Sequence, residues 1–200
     1  HNCLVGSEMC IRDSLRGVNR ILSSLFLVWV FSSCGGIDFS DENEVRRILH
    51  LAELKKGLVP KETEGRIHLF RENDDRPFEG WIADYHENGK LKSLERYESG
   101  VPSGPFRIWH PNGVPESEGL FRDTREHGVW TLWFDSGRKR EMKIFQEGRL
   151  EGPYAWWHPN GQLRAEGNYN AGKKEGIWIM YDSFGKEEEC LTYANGESTD

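Results

Sequence analysis

The chain of 200 residues is long enough for one ordinary domain with tails. Its formal charge is −7 and it has no run of lysine and arginine to neutralise phosphates, which argues against nucleic acid as a partner. Only 36% of the residues are hydrophobic, yet eight are tryptophan and 22 are glycine, so short strands and tight turns are favoured over a helical core.

The N-terminal region is interpreted as a targeting segment and not as part of the folded domain. Residues 1–15 contain the string VGSEMCIRDS, which resembles a translated sequencing adapter, and we treat them as a non-native segment. Residues 16–33 have the features of a signal peptide: Arg16 and Arg20 precede an apolar run, and small residues follow it. The run is too short to cross a bilayer, which takes roughly 20 apolar residues.

The string FSSC resembles the lipobox of bacterial lipoproteins. This resemblance implies that Cys34 is lipidated and anchors the mature protein in a membrane. In Gram-negative lipoproteins Gly35, directly after the cysteine, implies the outer membrane of the cell envelope. The alternative is a plain signal peptide and a periplasmic or secreted protein.

Residues 34–57 are predicted to form the lipid tether and one short amphipathic helix. Ser40, followed by acidic residues, suits a helix start, and Gly57 after two lysines suits a helix end. Apolar residues recur between them at helical spacing: Val45, Ile48, Leu49 and Ala52. We expect a helix of about 15 residues that covers the first open edge of a sheet.

From Gly80 to residue 197 the sequence contains five successive repeats without an insertion. The first repeat begins at Gly80 and the second at Gly104, and the later repeats keep this spacing. Three columns of the repeat are aromatic or nearly so. They are Tyr85, Trp109, Trp133, Trp157 and Tyr181; Tyr97, Phe121, Phe145, Tyr169 and Tyr193; and Ile82, Phe106, Trp130, Tyr154 and Trp178. Residues 58–79 lack these rings and are predicted to be a degenerate capping repeat.

Each repeat has the pattern of two strands joined by a tight turn. In HPNG, which occurs at His110 and at His158, proline and asparagine suit the central positions of a type I turn, and glycine suits the bulge after it. One hairpin cannot fold alone, whereas stacked hairpins stabilise one another. The sequence therefore predicts an all-β protein: an elongated array of antiparallel β-hairpins that repeat at this constant interval, preceded by one short helix.

The stretch GVWTLWFDSGRKREMKIFQEGRLEG resembles the MORN repeat, in the bacterial variant written G-x-W/F-x-x-W/Y-x-x-N-G and then Y/F-x-x-G. The resemblance covers about residues 60–197. It implies a hairpin scaffold that associates with membranes, binds proteins or accompanies an enzyme domain. Sequences of this variant are commonly labelled as antitoxin components, which implies, as one alternative, an immunity protein that binds a toxin.

No residue pattern predicts catalysis, a cofactor or a metal site. His86, His110 and His158 share one column, but successive repeats lie about 10 Å apart, and zinc requires its nitrogens at about 2.0–2.1 Å. A nucleophile elbow, a GxGxxG motif and a P-loop are absent from the sequence. We therefore expect that the protein is not an enzyme.

The candidate binding residues are one aromatic column, Tyr85, Trp109, Trp133, Trp157 and Tyr181. These rings stand three positions from the Phe106 column, so the two columns are expected on opposite faces of a sheet. Either both sets are buried and structural, or one is a solvent-facing ladder that binds carbohydrate or peptidoglycan. The favoured function is a non-catalytic lipoprotein of the cell envelope that acts as a repeat scaffold or protein-binding module.

Overall fold

The computed structural model describes residues 37–199. The predicted non-native segment, the signal peptide and Cys34 lie outside these residues. Within them the chain forms one helix and 15 strands, of which 13 belong to a single sheet. The predicted all-β array of antiparallel hairpins, with one short helix before it, is confirmed.

The helix α1 spans Glu42–Leu49 and is about half as long as the sequence predicted. Its cap is Asp41 and not Ser40, because the Asp41 carboxylate accepts a hydrogen bond from the backbone N–H of Asn43. Ala52 was expected in the helix but lies in strand β1 (Ala52–Leu54). The reason is strand pairing: β1 pairs in parallel with strand β4 (Gly80–Tyr85) and covers its otherwise open edge.

After a single 3₁₀ turn (Lys55–Gly57), strands β2 (Leu58–Thr63) and β3 (Arg66–Arg71) form a hairpin that is a sheet of its own. Leu58 and Leu69 of this hairpin pack with Phe78, Ile82 and Tyr97 in one core cluster. Residues 58–79 thus lie against the first hairpin of the array instead of extending the main sheet.

The main sheet follows the chain from β4 to its C-terminal edge. Its further strands are β5 (Leu91–Glu98), β6 (Val101–Trp109), β7 (Pro115–Arg122), β8 (Arg125–Trp133), β9 (Lys139–Gln146), β10 (Arg149–Leu150), β11 (Gly152–Trp157), β12 (Leu163–Asn170), β13 (Lys173–Tyr181), β14 (Glu187–Ala194) and β15 (Glu197–Ser198). These later strands are antiparallel to their neighbours, and the short β10 pairs only with β9.

Two kinds of turn alternate along the array. At one end the N–H of a glycine donates to the carbonyl three positions earlier, at 2.8–3.0 Å, in each of five turns: Gly89, Gly113, Gly137, Gly161 and Gly185. A register shift in the strand before each turn completes the predicted type I turn with its glycine bulge. At the other end each connection has two residues with positive φ, as in Ser99 and Gly100.

The two-residue turns are stacked on one another by backbone hydrogen bonds. In each of them the N–H of the second turn residue donates to a carbonyl of the preceding repeat, at 2.7–3.1 Å. The donors are Gly100, Thr124, Gly148, Gly172 and Gly196. Each repeat is thereby joined to the one before it outside the strand ladder as well as within it.

One face of the sheet carries two groups of four contacting rings, and the second group lies two repeats after the first. They are Phe106, Phe121, Trp130 and Phe145, with centroids 4.7–5.5 Å apart, and Tyr154, Tyr169, Trp178 and Tyr193, with centroids 5.1–6.3 Å apart. We call this the cluster face. We call the opposite face, which carries Tyr85, Trp109, Trp133, Trp157 and Tyr181, the ladder face.

The best-covered part of the sheet is its first hairpin. On the ladder face, Phe39, which precedes helix α1, and Ile48 of the helix pack on Ala83, Leu94 and Trp109. On the cluster face, the β2–β3 hairpin packs on Ile82 and Tyr97. Both core clusters end at or before β6, and beyond it most of the rings on both faces are half-buried.

Candidate functional site

The predicted separation of the two aromatic columns is confirmed by the strand register. Phe106 pairs with Gly119 and Arg107 pairs with Glu118, so these two positions of β6 face opposite sides. Arg107 lies on the side of Trp109 and Trp133, because its guanidinium carbon is 5.9 Å and 5.8 Å from the centroids of their rings. Neither column is fully buried along its whole length.

The exposure of the five aromatic rings on the ladder face, which we call rungs, varies along the array. Tyr85 is 43% exposed at the first rung, whereas Trp109 is only 9% exposed. Trp133, Trp157 and Tyr181 are half-buried. The five candidate residues therefore lie in one row on one face, and the last three present part of their surface to solvent.

Trp109 is shielded by the segment that precedes the sheet. The Phe39 ring lies against the rings of Trp81 and Trp109, with both centroid distances 6.3 Å and both ring pairs nearly perpendicular. Ile48 of helix α1 belongs to the same core cluster. The ladder face therefore already binds an aromatic segment of this same chain, at Trp81 and Trp109.

Arg107 holds that segment in place and is the residue that sequence analysis missed. It is 9% exposed and forms an ion pair with Glu118, with Nε 2.8 Å from Oε2. Its Nη1 donates to the carbonyl oxygen of Phe39 at 2.8 Å. The sequence did contain an indication, since the other four residues of this column are uncharged: Ala83, Thr131, Ala155 and Ile179.

Beyond Trp133 the ladder face combines small and apolar side chains with two carboxylates beside Tyr181, those of Glu166 and Glu187. Met142, Ala155 and Ile179 are buried there. The Tyr181 hydroxyl donates to Oε1 of the half-buried Glu166 at 2.7 Å. Burial, together with the bond to Glu166, raises the pKa of Tyr181 above its ordinary value.

The three histidines of the repeated turn have a structural role. Each ring Nε2 lies 2.7–3.2 Å from a backbone carbonyl of the next repeat, so each must carry its proton on Nε2 to donate. The pairs are His86 with Trp109, His110 with Trp133, and His158 with Tyr181. No group of three His, Cys, Asp or Glu residues within 37–199 is arranged to bind a metal ion.

The asparagine of the turn connects neighbouring repeats in the same way. Its side-chain amide donates to a carbonyl of the next turn at 2.6–2.7 Å, and its Oδ1 accepts from the N–H two positions later at 3.0 Å. These asparagines are Asn88, Asn112 and Asn160. The repeated string HPNG is thus explained by stacking of the turns.

Two glycines on the cluster face were also missed. A Cβ at Gly119 would lie 2.7 Å from the indole of Trp130, and one at Gly167 would lie closer still to the indole of Trp178. Each indole Nε1 donates to a carbonyl beside its glycine, that of Leu120 or of Asn168. The available indication was that both the glycines and the tryptophans recur two repeats apart.

Two shallow clefts flank these features. One, of about 240 Å³, lies between α1 and the sheet beside Phe39 and Trp109. The other, of about 280 Å³, is lined by Arg66, Arg122 and Arg125 with two acidic residues at the two-residue turns. Within residues 37–199, the single helix falls well short of the length and apolarity needed to cross a membrane.

Comparison with known proteins agrees with the geometry of the hairpins. The MORN repeat variant family matches residues 84–99, 102–123 and 150–171. Residues 84–171 form a MORN repeat variant domain. The same hairpins continue between and beyond the matched MORN segments, including the turn at Gly137 where Asp135 and Ser136 replace proline and asparagine. No curated protein matches the chain, and no enzyme family is found in it.

The array is accordingly a MORN repeat scaffold. Its repeated residues are accounted for by turn stacking, ring packing and strand pairing within the scaffold. What remains of the candidate site is the part of the ladder face that carries Trp133, Trp157 and Tyr181.

Proposed function

We propose that this MORN scaffold is a non-catalytic protein-binding module of the cell envelope, anchored through Cys34, and that its partner binds along the ladder face. The observation that carries the proposal is the docking of Phe39 and α1 on Trp81 and Trp109. A polypeptide segment with one aromatic anchor is thereby bound by the first rungs.

The later rungs continue the same chemistry. Trp133 and Trp157 are half-buried and lie two strand spacings apart, about 10 Å, on the same face of the sheet. Partly exposed aromatic residues on a sheet supply the large contact area that protein interfaces concentrate in a few side chains. Trp133 and Trp157, which helix α1 does not cover, are therefore suited to bind a partner protein, as Trp109 binds Phe39.

Site-specific photocrosslinking in cells that express the full chain tests this proposal. A crosslinking amino acid at Trp157 is expected to capture one defined envelope protein, whereas the same group at the exposed Glu188 captures none. Absence of a Trp157-specific adduct would overturn the proposal.

Anchoring is tested separately. Labelled palmitate is expected to enter the wild-type protein and to be absent from the Cys34→Ser variant. If the wild-type chain carries no label, the lipoprotein assignment fails and the periplasmic or secreted alternative replaces it.

Carbohydrate or peptidoglycan binding is the second candidate, favoured by the row of rings on one face. It requires that Trp133 and Trp157 present their ring faces, so soluble glycan fragments must protect both from a fluorescence quencher. The antitoxin-like alternative is a special case of protein binding in which the captured partner is a toxin.

A further inference from the structure

Three arginine side chains converge on one cleft at the end of the sheet that carries the two-residue turns. The cleft has a volume of about 280 Å³ and is lined by Arg66, Arg122 and Arg125, together with Asp123 and Glu147. All five residues are exposed to solvent. The three guanidiniums come from three different strands, β3, β7 and β8, so only the folded chain brings them together.

The strand that carries Arg66 is held beside the turns of the main sheet. Nδ1 of His68 lies 2.8 Å from the carbonyl oxygen of Ser99, in the first two-residue turn of the array. Arg66 is two positions from His68 on β3, and it lines the cleft beside the following turn, which contains Asp123. The β2–β3 hairpin thus adds one cation to the two that flank this turn.

The two cations that flank the turn are an unfavourable pair. Arg122 and Arg125 are directly opposite each other in the register of β7 and β8, and like charges in this arrangement destabilise a sheet. Thr124, between them, has the strained φ of +69°. The four equivalent pairs along the array each contain at most one charged residue: Glu98 with Val101, Gln146 with Arg149, Asn170 with Lys173, and Ala194 with Glu197.

The three guanidiniums are also not neutralised by contact with carboxylates. Within residues 37–199, none of them forms a hydrogen bond or an ion pair with another group of the protein. Other arginines of the fold do pair with a carboxylate, as Arg71, Arg96 and Arg107 show. A guanidinium has five N–H donors in a fixed planar arrangement, and all of those in the cleft can therefore be offered to a ligand.

We propose that this cleft binds a phosphate group, either as inorganic phosphate or as a phosphate monoester. A phosphate monoester has three strongly accepting oxygens and nearly two negative charges, so it can accept from guanidiniums on several sides, whereas one bidentate arginine satisfies a planar carboxylate. The net charge of −7 argues against nucleic acid as the carrier of the phosphate. The inference goes beyond the proposed function, since it involves neither Cys34 nor the rings of the ladder face.

NMR of the arginine Nε–H groups in the full chain tests the proposal, with glycerol 3-phosphate as the probe and acetate at the same ionic strength as its control. Glycerol 3-phosphate is expected to shift the resonances of Arg122 and Arg125 with saturation, and acetate is expected to leave them in place. Arg125→Gln should weaken glycerol 3-phosphate binding about tenfold, since it removes a charge-assisted hydrogen bond. The matched control Arg149→Gln, at the same position of the next repeat and outside the cleft, should leave the affinity unchanged.

Thermal unfolding separates binding from a structural role. Without phosphate, Arg125→Gln should unfold at the temperature of the wild type or above it, because the variant removes a pair of like charges. Glycerol 3-phosphate should raise the unfolding temperature of the wild type and of Arg149→Gln, and should raise that of Arg125→Gln much less. The proposal is overturned by the absence of a saturable shift in the wild type, by equal affinity for acetate, or by unchanged affinity in Arg125→Gln.

Vesicle flotation identifies the molecule that carries the phosphate. It uses vesicles of phosphatidylcholine with and without phosphatidic acid, and all variants carry Cys34→Ser so that no lipid anchor contributes. If Arg125→Gln reduces flotation with phosphatidic acid and Arg149→Gln does not, the phosphate belongs to a lipid headgroup. If neither variant changes flotation while glycerol 3-phosphate still binds, the ligand is a soluble phosphate.

Discussion

Arg107 donates from Nη1 to the carbonyl oxygen of Phe39, 68 residues earlier, at 2.8 Å. This bond connects the segment before the sheet to the middle of the second hairpin. The guanidinium is also 5.4 Å from the centroid of the Phe39 ring. One buried cation therefore joins the helical segment, the ladder and the acidic residue Glu118.

Removing this cation should destabilise the array and release its N-terminal segment. Arg107→Ala is expected to lower the free energy of unfolding by about 3–5 kcal/mol, because Glu118 is left as a poorly solvated charge without its partner. Urea unfolding measures the loss, and amide hydrogen exchange should show faster exchange in α1. Arg149→Ala, at an exposed position, is the control and should have little effect. If the double variant Arg107→Met, Glu118→Met is as unstable as Arg107→Ala, the unpaired charge is not the cause.

The glycines beneath the tryptophans should not tolerate a methyl group. Gly167→Ala is expected to cost about 1–3 kcal/mol, since the added Cβ collides with the Trp178 indole. The control is Gly57→Ala, where no atom lies within 4 Å of the added Cβ. Thermal unfolding compares the two. Recovery of stability in Gly167→Ala, Trp178→Leu would identify the indole as the obstacle, and failure to recover would point to the backbone.

Turn stacking can be weakened in one repeat and strengthened in another. Asn160→Ala removes the bond to the Ser183 carbonyl and the bond from the Gln162 N–H, and should cost about 1 kcal/mol. Ser136→Asn introduces an amide at the equivalent position and is expected to stabilise the chain, because the matching acceptor, the Pro159 carbonyl, has a second lone pair besides the one that accepts from Nη1 of Arg138. Urea unfolding of both variants decides. A loss of stability in Ser136→Asn would contradict the stacking role.

Thr124 is a strained residue in an otherwise regular row. Its φ is +69°, and it stands where the equivalent turns have Gly100, Gly148, Gly172 and Gly196. A β-branched residue is unfavourable in this left-handed region, so Thr124→Gly should raise the free energy of unfolding by about 1 kcal/mol. Thr124→Ala, which keeps a Cβ, should gain much less. Equal effects of the two would show that the backbone angle is not the source of the strain.

Alkaline pH should unfold the array through its tyrosines. Burial and then neighbouring carboxylates raise the pKa of Tyr97, Tyr154, Tyr169 and Tyr181 above the ordinary value of about 10. Since the raised pKa favours the neutral form in the folded state, the stabilisation is full below a pH of about 10 and is lost as pH rises from there towards the folded-state values. Absorbance of tyrosinate should therefore appear late and together with unfolding, and Tyr181→Phe should make the loss of stability less steep.

The sequence was sufficient for the strands and the bulged turns that repeat. The constant repeat interval predicted the hairpins, the bulged turns at Gly113 and Gly161, and the opposite faces of the Phe106 and Trp109 columns. It succeeded because each hairpin obeys local rules, and local rules need only residue types at fixed spacing.

The tertiary structure decided what occurs once. Ala52 lies in β1 and not in the predicted helix, because β1 pairs with the open edge of β4. Strands β2 and β3, within residues 58–79, form a separate sheet that packs against the first hairpin. Arg107 reached Phe39 because folding placed the second hairpin under a segment 68 residues away. Contacts between residues distant in sequence follow from packing, for which spacing along the chain gives no measure.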